Sequence, residues 1–138
     1  MTTKTYLQQI ERIEILIRNK RKELERLREL SGNHAVRYDR ERVQSSNISD
    51  PTGRAGTEFA MIAKQIESWI TKRQKIIGQI DSMRDKRLYE ILTYRYVQMK
   101  SMYELAEMMD VGERQAHSLL KKAHEKFEEL HGDTYLDS

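Results

Sequence analysis

Six polar residues in one short run carry the chemistry of this chain: Arg114, Gln115, His117, Ser118, Lys121 and Lys122. Between them stand Ala116, Leu119, Leu120 and Ala123. At 3.6 residues per turn the apolar set faces one way, and the polar set, with Glu113, faces the other. An arginine suits the O6 and N7 edge of guanine, and a glutamine suits the edge of adenine. Ser118, Lys121 and Lys122 suit phosphate oxygens. Taken without its surroundings, such a face is more often simply solvated.

The surroundings change that weighting. Tyr103, Leu105, Ala106 and Met109 are spaced to give a short preceding helix one buried face. Asp110-Val111-Gly112 makes a turn, and Glu113 opens a second helix with Ala116, Leu119, Leu120, Ala123 and Phe127 facing inward. Ala106 is small enough to let the two helices cross closely, and Val111 plugs the corner. This is the pattern of a helix-turn-helix, which places its second helix in the DNA major groove. The competing reading is a plain three-helix bundle. Spacing, small residue, turn and second helix agree, so double-stranded DNA is the favoured partner.

The segment is also similar to the promoter-binding C-terminal domain of sigma factors, region four. Ile91-Leu92 and Arg95-Tyr96 match the family's apolar pair and Arg-Tyr, Tyr103 through Val111 matches its first motif helix, and Ala123, Lys126 and Phe127 match the end of its recognition helix. Gly112 stands where sigma factors usually have Ser or Thr, and their recognition helix is more basic. The whole chain resembles small phage-encoded proteins of Gram-positive hosts, related to late transcriptional regulators of the ArpU and RinA type. These carry an N-terminal helical hairpin, a Val-Gln-Ser-Ser element (here Val43 to Ser46) and a sigma-like end. The resemblance implies a regulator of late promoters acting with host RNA polymerase, in the cytoplasm of the host bacterial cell.

The elements upstream must hold this face in place. Of 138 residues, 38% are apolar and 34% charged, which suits long exposed helices more than one thick core. Strand patterning is essentially absent, so the chain is expected to be all-α. The first helix is predicted from about Lys4 to Leu30, with a coiled-coil seam of Tyr6, Ile10, Ile13, Ile17, Leu24 and Leu27 interrupted by Lys20. Gly32 marks its stop. Residues 31–56 read as loop, from Gly32-Asn33, Ser45-Ser46-Asn47 and Ser49-Asp50-Pro51-Thr52-Gly53. A second helix is predicted from Thr57, with the seam Phe59, Ile62, Ile66, Trp69, Ile76, Ile80 and Met83 and an interruption at Arg73. The matched seams predict a long antiparallel hairpin over 1–84 that self-associates as a homodimer or higher oligomer, with Lys20 near Trp69. A new helix begins at Asp81-Ser82 or Asp85. The expected organisation is therefore hairpin (1–84), helix-turn-helix (85–132) and a tail (133–138).

Charge is distributed unevenly. Residues 57–100 hold 9 basic and 5 acidic side chains, whereas 101–138 hold 4 and 9. Phosphate neutralisation supplies much of DNA affinity, so an acidic DNA-reading end counts against strong autonomous binding. The basic run Arg18, Lys20, Arg21 and Lys22 suits DNA or polymerase, though such runs are usually a solvated helix face. The chain has no cysteine, which excludes disulfides and zinc fingers. It shows no span of membrane length and no signal-peptide core, so no membrane partner is expected.

His117, His124 and His131 recur every seven residues, about 10 Å apart, too far for neighbouring pairs to share a metal. His124, Glu128 and His131 do share a face at ligand spacing, but a solvated acidic helix end is the better reading. Met102, Met108 and Met109 read as core filler. With no catalytic constellation, neither an enzyme nor a cofactor is expected. Two rival functions remain: a DNA-packaging component like small terminase subunits, whose DNA-binding part usually comes first, and a non-DNA-binding interaction protein.

Overall fold

The structure, a computed structural model, describes the backbone of residues 1–38 and 49–137 and the side chains of 1–30 and 56–137. The described residues are all-α: α1 (Thr3–Tyr38), α2 (Ser49–Asp81), α3 (Lys86–Leu92), α4 (Met102–Met108) and α5 (Glu113–His131), with no strand among them. A wide π-type turn over Thr93–Val97 prolongs α3, and a 3-10 turn over Gly132–Thr134 follows α5.

Two predicted boundaries are corrected. α1 passes Gly32 and ends at Tyr38. A glycine inside a helix costs only about 1 kcal/mol relative to alanine, and it stops a helix only when the chain turns left-handed there. α2 begins at Ser49 instead of Thr57, because Ser49-Asp50-Pro51 is a helix start as much as a turn, and proline fits the first helical turn. The expected loop thus shrinks from both sides. Val43 to Ser46 lies outside the described residues. α2 ends at Asp81, and Asp85 caps α3 by accepting from the amides of Arg87 and Leu88.

The chain divides into two compact units, Met1–Glu14 with Lys72–Ser138, and Ile15–Thr71. The second unit has a thin core. Ile17, Ile62 and Ile66 are buried, while Leu24, Leu27, Phe59 and Trp69 are only half-buried. Lys20 meets Glu23 at 3.0 Å, so the ammonium snorkels as an interrupting lysine should. Arg28 lies 5.7 Å over the ring of Phe59, a cation–π contact within this unit.

The first unit holds the main core, in which Leu7, Ile10, Ile76, Ile80, Ile91, Leu92, Leu105 and Phe127 are buried. Glu14 and Arg73 meet at its edge at 3.9 Å. Tyr135, in the segment expected to be a tail, is only 1% exposed. Its ring stacks on Tyr6 at 4.2 Å and lies 6.0 Å from Phe127. Its hydroxyl pairs with Thr3 Oγ1 at 2.8 Å, a buried bond between residues 132 positions apart. Tyr135 is therefore part of the core, a buried aromatic with a partnered hydroxyl, while Asp133, Thr134, Leu136 and Asp137 around it stay exposed.

This packing sets an expected outcome. Tyr135→Ala should lower unfolding stability by about 3–5 kcal/mol, as large aromatic truncations do. Tyr135→Phe should cost about 1–3 kcal/mol by leaving the Thr3 hydroxyl without its partner. Chemical denaturation measures both; a loss under 1 kcal/mol for Tyr135→Ala would return residues 133–138 to the role of a tail.

Candidate nucleic-acid interface

α4 is built to start and stop sharply. Ser101 Oγ accepts from the Glu104 amide at 3.1 Å, and Glu104 Oε1 accepts from the Ser101 amide at 3.1 Å, a reciprocal capping box. Those hydrogen bonds hold the Glu104 carboxyl below the usual carboxylate range. At the other end Val111 N–H donates to Ala106 O at 3.0 Å and Asp110 N–H to Glu107 O at 3.1 Å. This pair of bonds is a Schellman stop, and it requires Asp110 to be left-handed, with φ 58°. Aspartate tolerates that region better than most residues. Ala106 is 4% exposed and Val111 packs half-buried against the core, as their sequence positions led us to expect.

α5 follows at once. Gly112 is its N-cap and offers no side-chain bond. Ala116, Ala123 and Phe127 are fully buried, and Leu119 and Leu120 half-buried. Arg114, Gln115, His117, Ser118, Lys121 and Lys122 are all exposed, on the opposite face. From Arg114 to Lys122 the face is about 12 Å long. Glu125, one turn beyond Lys121, is exposed as well, and Lys126 is drawn to Glu129 at 3.6 Å. The basic, unpaired part of the helix is thus its first two and a half turns. Lys121 also borders a shallow cleft with Thr3, His124, Glu125, Glu128 and Leu136, so its setting is less open than the sequence suggests.

Two expected core residues of α4 are misplaced. Met108 is 48% exposed. Tyr103 is 62% exposed, and its phenol lies by Glu107, whose hydrogen bond and charge push its ionisation upward. Met102, one position earlier, packs against the core instead. The short α4 presents Met102, Leu105, Ala106 and Met109 inward, so an alternation of three and four beginning at 102 fits where one beginning at 103 does not.

Arg95 and Tyr96 brace the site. Arg95 Nη1 donates to Lys100 O at 2.8 Å, closing the corner between the π-type turn and α4. Tyr96 is 5% exposed, and burial pushes its phenol up to about 12. It therefore stays protonated and can donate to His124 Nε2, 2.6 Å away. Desolvation, then the charge of Lys4, holds the His124 imidazole below its usual value of 6.5. His131 Nε2 lies 2.9 Å from Ser82 Oγ, with its ring 5.0 Å from Phe127. The heptad histidines thus divide: His117 is exposed, while His124 and His131 bond α5 to its neighbours. Serine and glutamate three apart at Ser101 and Glu104 are a readable capping signal; the Tyr96–His124 pair, 28 positions apart, carries no local signal.

No family model, curated protein or solved structure matches this chain.

Two outcomes follow for the scaffold under the face. Asp110→Val places a β-branched residue at a left-handed position and should cost about 1–2 kcal/mol, whereas Asp110→Gly should not destabilise; thermal melts of the two variants compare them. For His124 the folded value is depressed, so the unfolded chain binds the proton first as pH falls. Its contribution is complete above about pH 6.5 and is lost as pH drops through 6.5 toward the folded value. Denaturation between pH 7.5 and pH 5.5, as approximate bounds around that value, should show wild-type stability falling with a steeper slope than His124→Gln; equal slopes would remove His124 as the cause.

Proposed function

We propose that this chain is a DNA-binding transcription regulator whose α4–α5 pair acts as a helix-turn-helix, with α5 as the reading helix. The observation that carries the reading is the exposed, unpaired basic start of α5, set on a helix whose opposite face packs into the core and whose entry is fixed by the left-handed Asp110 turn. Recognition helices meet base edges with their N-terminal residues, and that is where Arg114, Gln115 and Ser118 stand. The acidic C-terminal half, with Glu125, Glu128 and Glu129, would be turned away from the phosphates.

The phage-type, late-promoter role with host RNA polymerase rests on the resemblance to ArpU and RinA regulators and to sigma region four. The remaining charge supports an accessory contribution from α1 and α2. Residues 15–71 hold 11 basic and 8 acidic side chains, and the rest of the chain balances at 14 and 14. The net +3 thus lies wholly in that unit. Within the first unit Tyr6 meets Gln79 and Glu14 meets Arg73; the partner falls earlier in α2 as it falls later in α1, the order expected of an antiparallel pair. The thin core of the second unit, with Ile15, Leu16, Leu30 and Met61 exposed, favours self-association of the hairpin. No helix among the described residues is long and apolar enough to cross a membrane.

Arg114 gives the sharpest test. A bidentate contact to guanine is worth about 1–3 kcal/mol of discrimination, so Arg114→Ala should reduce preference for the cognate duplex more than it reduces general affinity. Lys121→Ala and Lys122→Ala should weaken all sequences about equally and lower the salt dependence by about one unit of slope for each phosphate no longer neutralised. Titrations against cognate and scrambled duplexes at several salt concentrations measure both effects. Equal loss on the two duplexes for Arg114→Ala, or none on either, contradicts base reading; unchanged DNA binding with altered polymerase binding would favour the interaction-protein reading.

A further inference from the structure

A pocket of about 240 Å³ opens in the first unit, between the start of α1, the end of α2 and the Gly132–Thr134 turn. Tyr6, Gln9, Lys72, Lys75, Thr134 and Tyr135 are among its walls. Most of its polar groups are already partnered. Tyr6 OH donates to Gln79 Oε1, Tyr135 OH pairs with Thr3 Oγ1, and Thr134 Oγ1 donates to His131 O. Three groups are left over. Neither Lys72 nor Lys75 has a carboxylate within ion-pair distance among the described residues; the guanidinium between them in sequence, Arg73, is directed to Glu14. The Gln9 side chain lines the pocket, and its oxygen is buried with no donor, so a ligand meets it by rotation of the side-chain amide.

These leftovers describe a ligand. Two adjacent ammonium groups, one helical turn apart on α2, call for an oxyanion. A buried carbonyl oxygen with no partner calls for an O–H or N–H donor. The volume equals that of about eight waters at ~30 Å³ each, more than a bare phosphate fills. A DNA backbone phosphodiester has no hydroxyl to give Gln9, and a duplex is too wide to enter.

We propose that this pocket binds a small phosphorylated molecule that also carries hydroxyl groups, the phosphate held by Lys72 and Lys75 and a hydroxyl donating to Gln9. No residue of α5 is among the walls, and the proposal does not depend on DNA recognition. Because the pocket walls include Tyr6 and Tyr135, a bound ligand would stabilise the same packing that closes the first unit.

Ribose 5-phosphate is the probe, with ribose and inorganic phosphate as controls, tested on the full chain by thermal melting and calorimetry. Ribose 5-phosphate should raise the Tm in a concentration-dependent way, inorganic phosphate should raise it less, and ribose alone should leave it unchanged. Lys72→Gln with Lys75→Gln changes two exposed side chains, so the unliganded melt should stay near wild type while affinity for ribose 5-phosphate falls about tenfold or more. Gln9→Met should weaken ribose 5-phosphate and spare inorganic phosphate. The proposal is overturned if ribose 5-phosphate produces no shift, if the double lysine variant responds like wild type, or if inorganic phosphate binds as tightly as the sugar phosphate.

Discussion

The stacked pair Tyr6–Tyr135, with Phe127 against both, is the contact on which the rest of the first unit depends. It brings together the start of α1, the last turns of α5 and the segment beyond α5. Three aromatic rings bury a large apolar area in a chain that has few aromatics, and the geometry of each pair adds to that burial. The Thr3–Tyr135 bond closes the cluster at a point where an unpaired hydroxyl would be costly. Consequently the C-terminal helices do not form a body of their own. They share a core with Met1–Glu14 and with the end of α2.

That shared core explains how α5 is displayed. Ala116, Ala123 and Phe127 are pinned from inside, Tyr96 and Ser82 hold the helix through His124 and His131, and the left-handed Asp110 sets the angle at which it leaves α4. A side chain that reads base edges must be held to within a fraction of an ångström by its scaffold. Here the scaffold is over-determined while the exposed polar face of α5 makes no internal ion pair from Arg114 to Lys122 among the described residues. Electrostatics then set the limits of the face. With glutamates following Lys122, only the first turns of α5 suit a polyanion, and on the proposed function duplex affinity would have to draw on other basic groups.

Much of this was legible in sequence, for definable reasons. Helical periodicity placed the seams of α1 and α2, the turn before Glu113, the inner face of α5 and the six exposed polar residues, because period and turn chemistry are local. Leu7, fully buried beside Ile10, escaped the seam pattern. The extent of α1 and α2 was hidden because glycine, serine and proline mark helix interiors and starts as well as loops. Tyr103 was misassigned because a seven-residue helix holds too few turns to fix its phase. Tyr135, the Tyr96–His124 bond and the pocket at Lys72 and Lys75 join residues far apart in sequence, so no local pattern announces them.

Selection of bound duplexes from a random DNA library by the full chain, at low salt, tests the central claim most directly. The account predicts enrichment of a motif with a guanine position that loses its information content when Arg114 is replaced by alanine. Recovery of a pool with the composition of the input library, across the salt range, would contradict it.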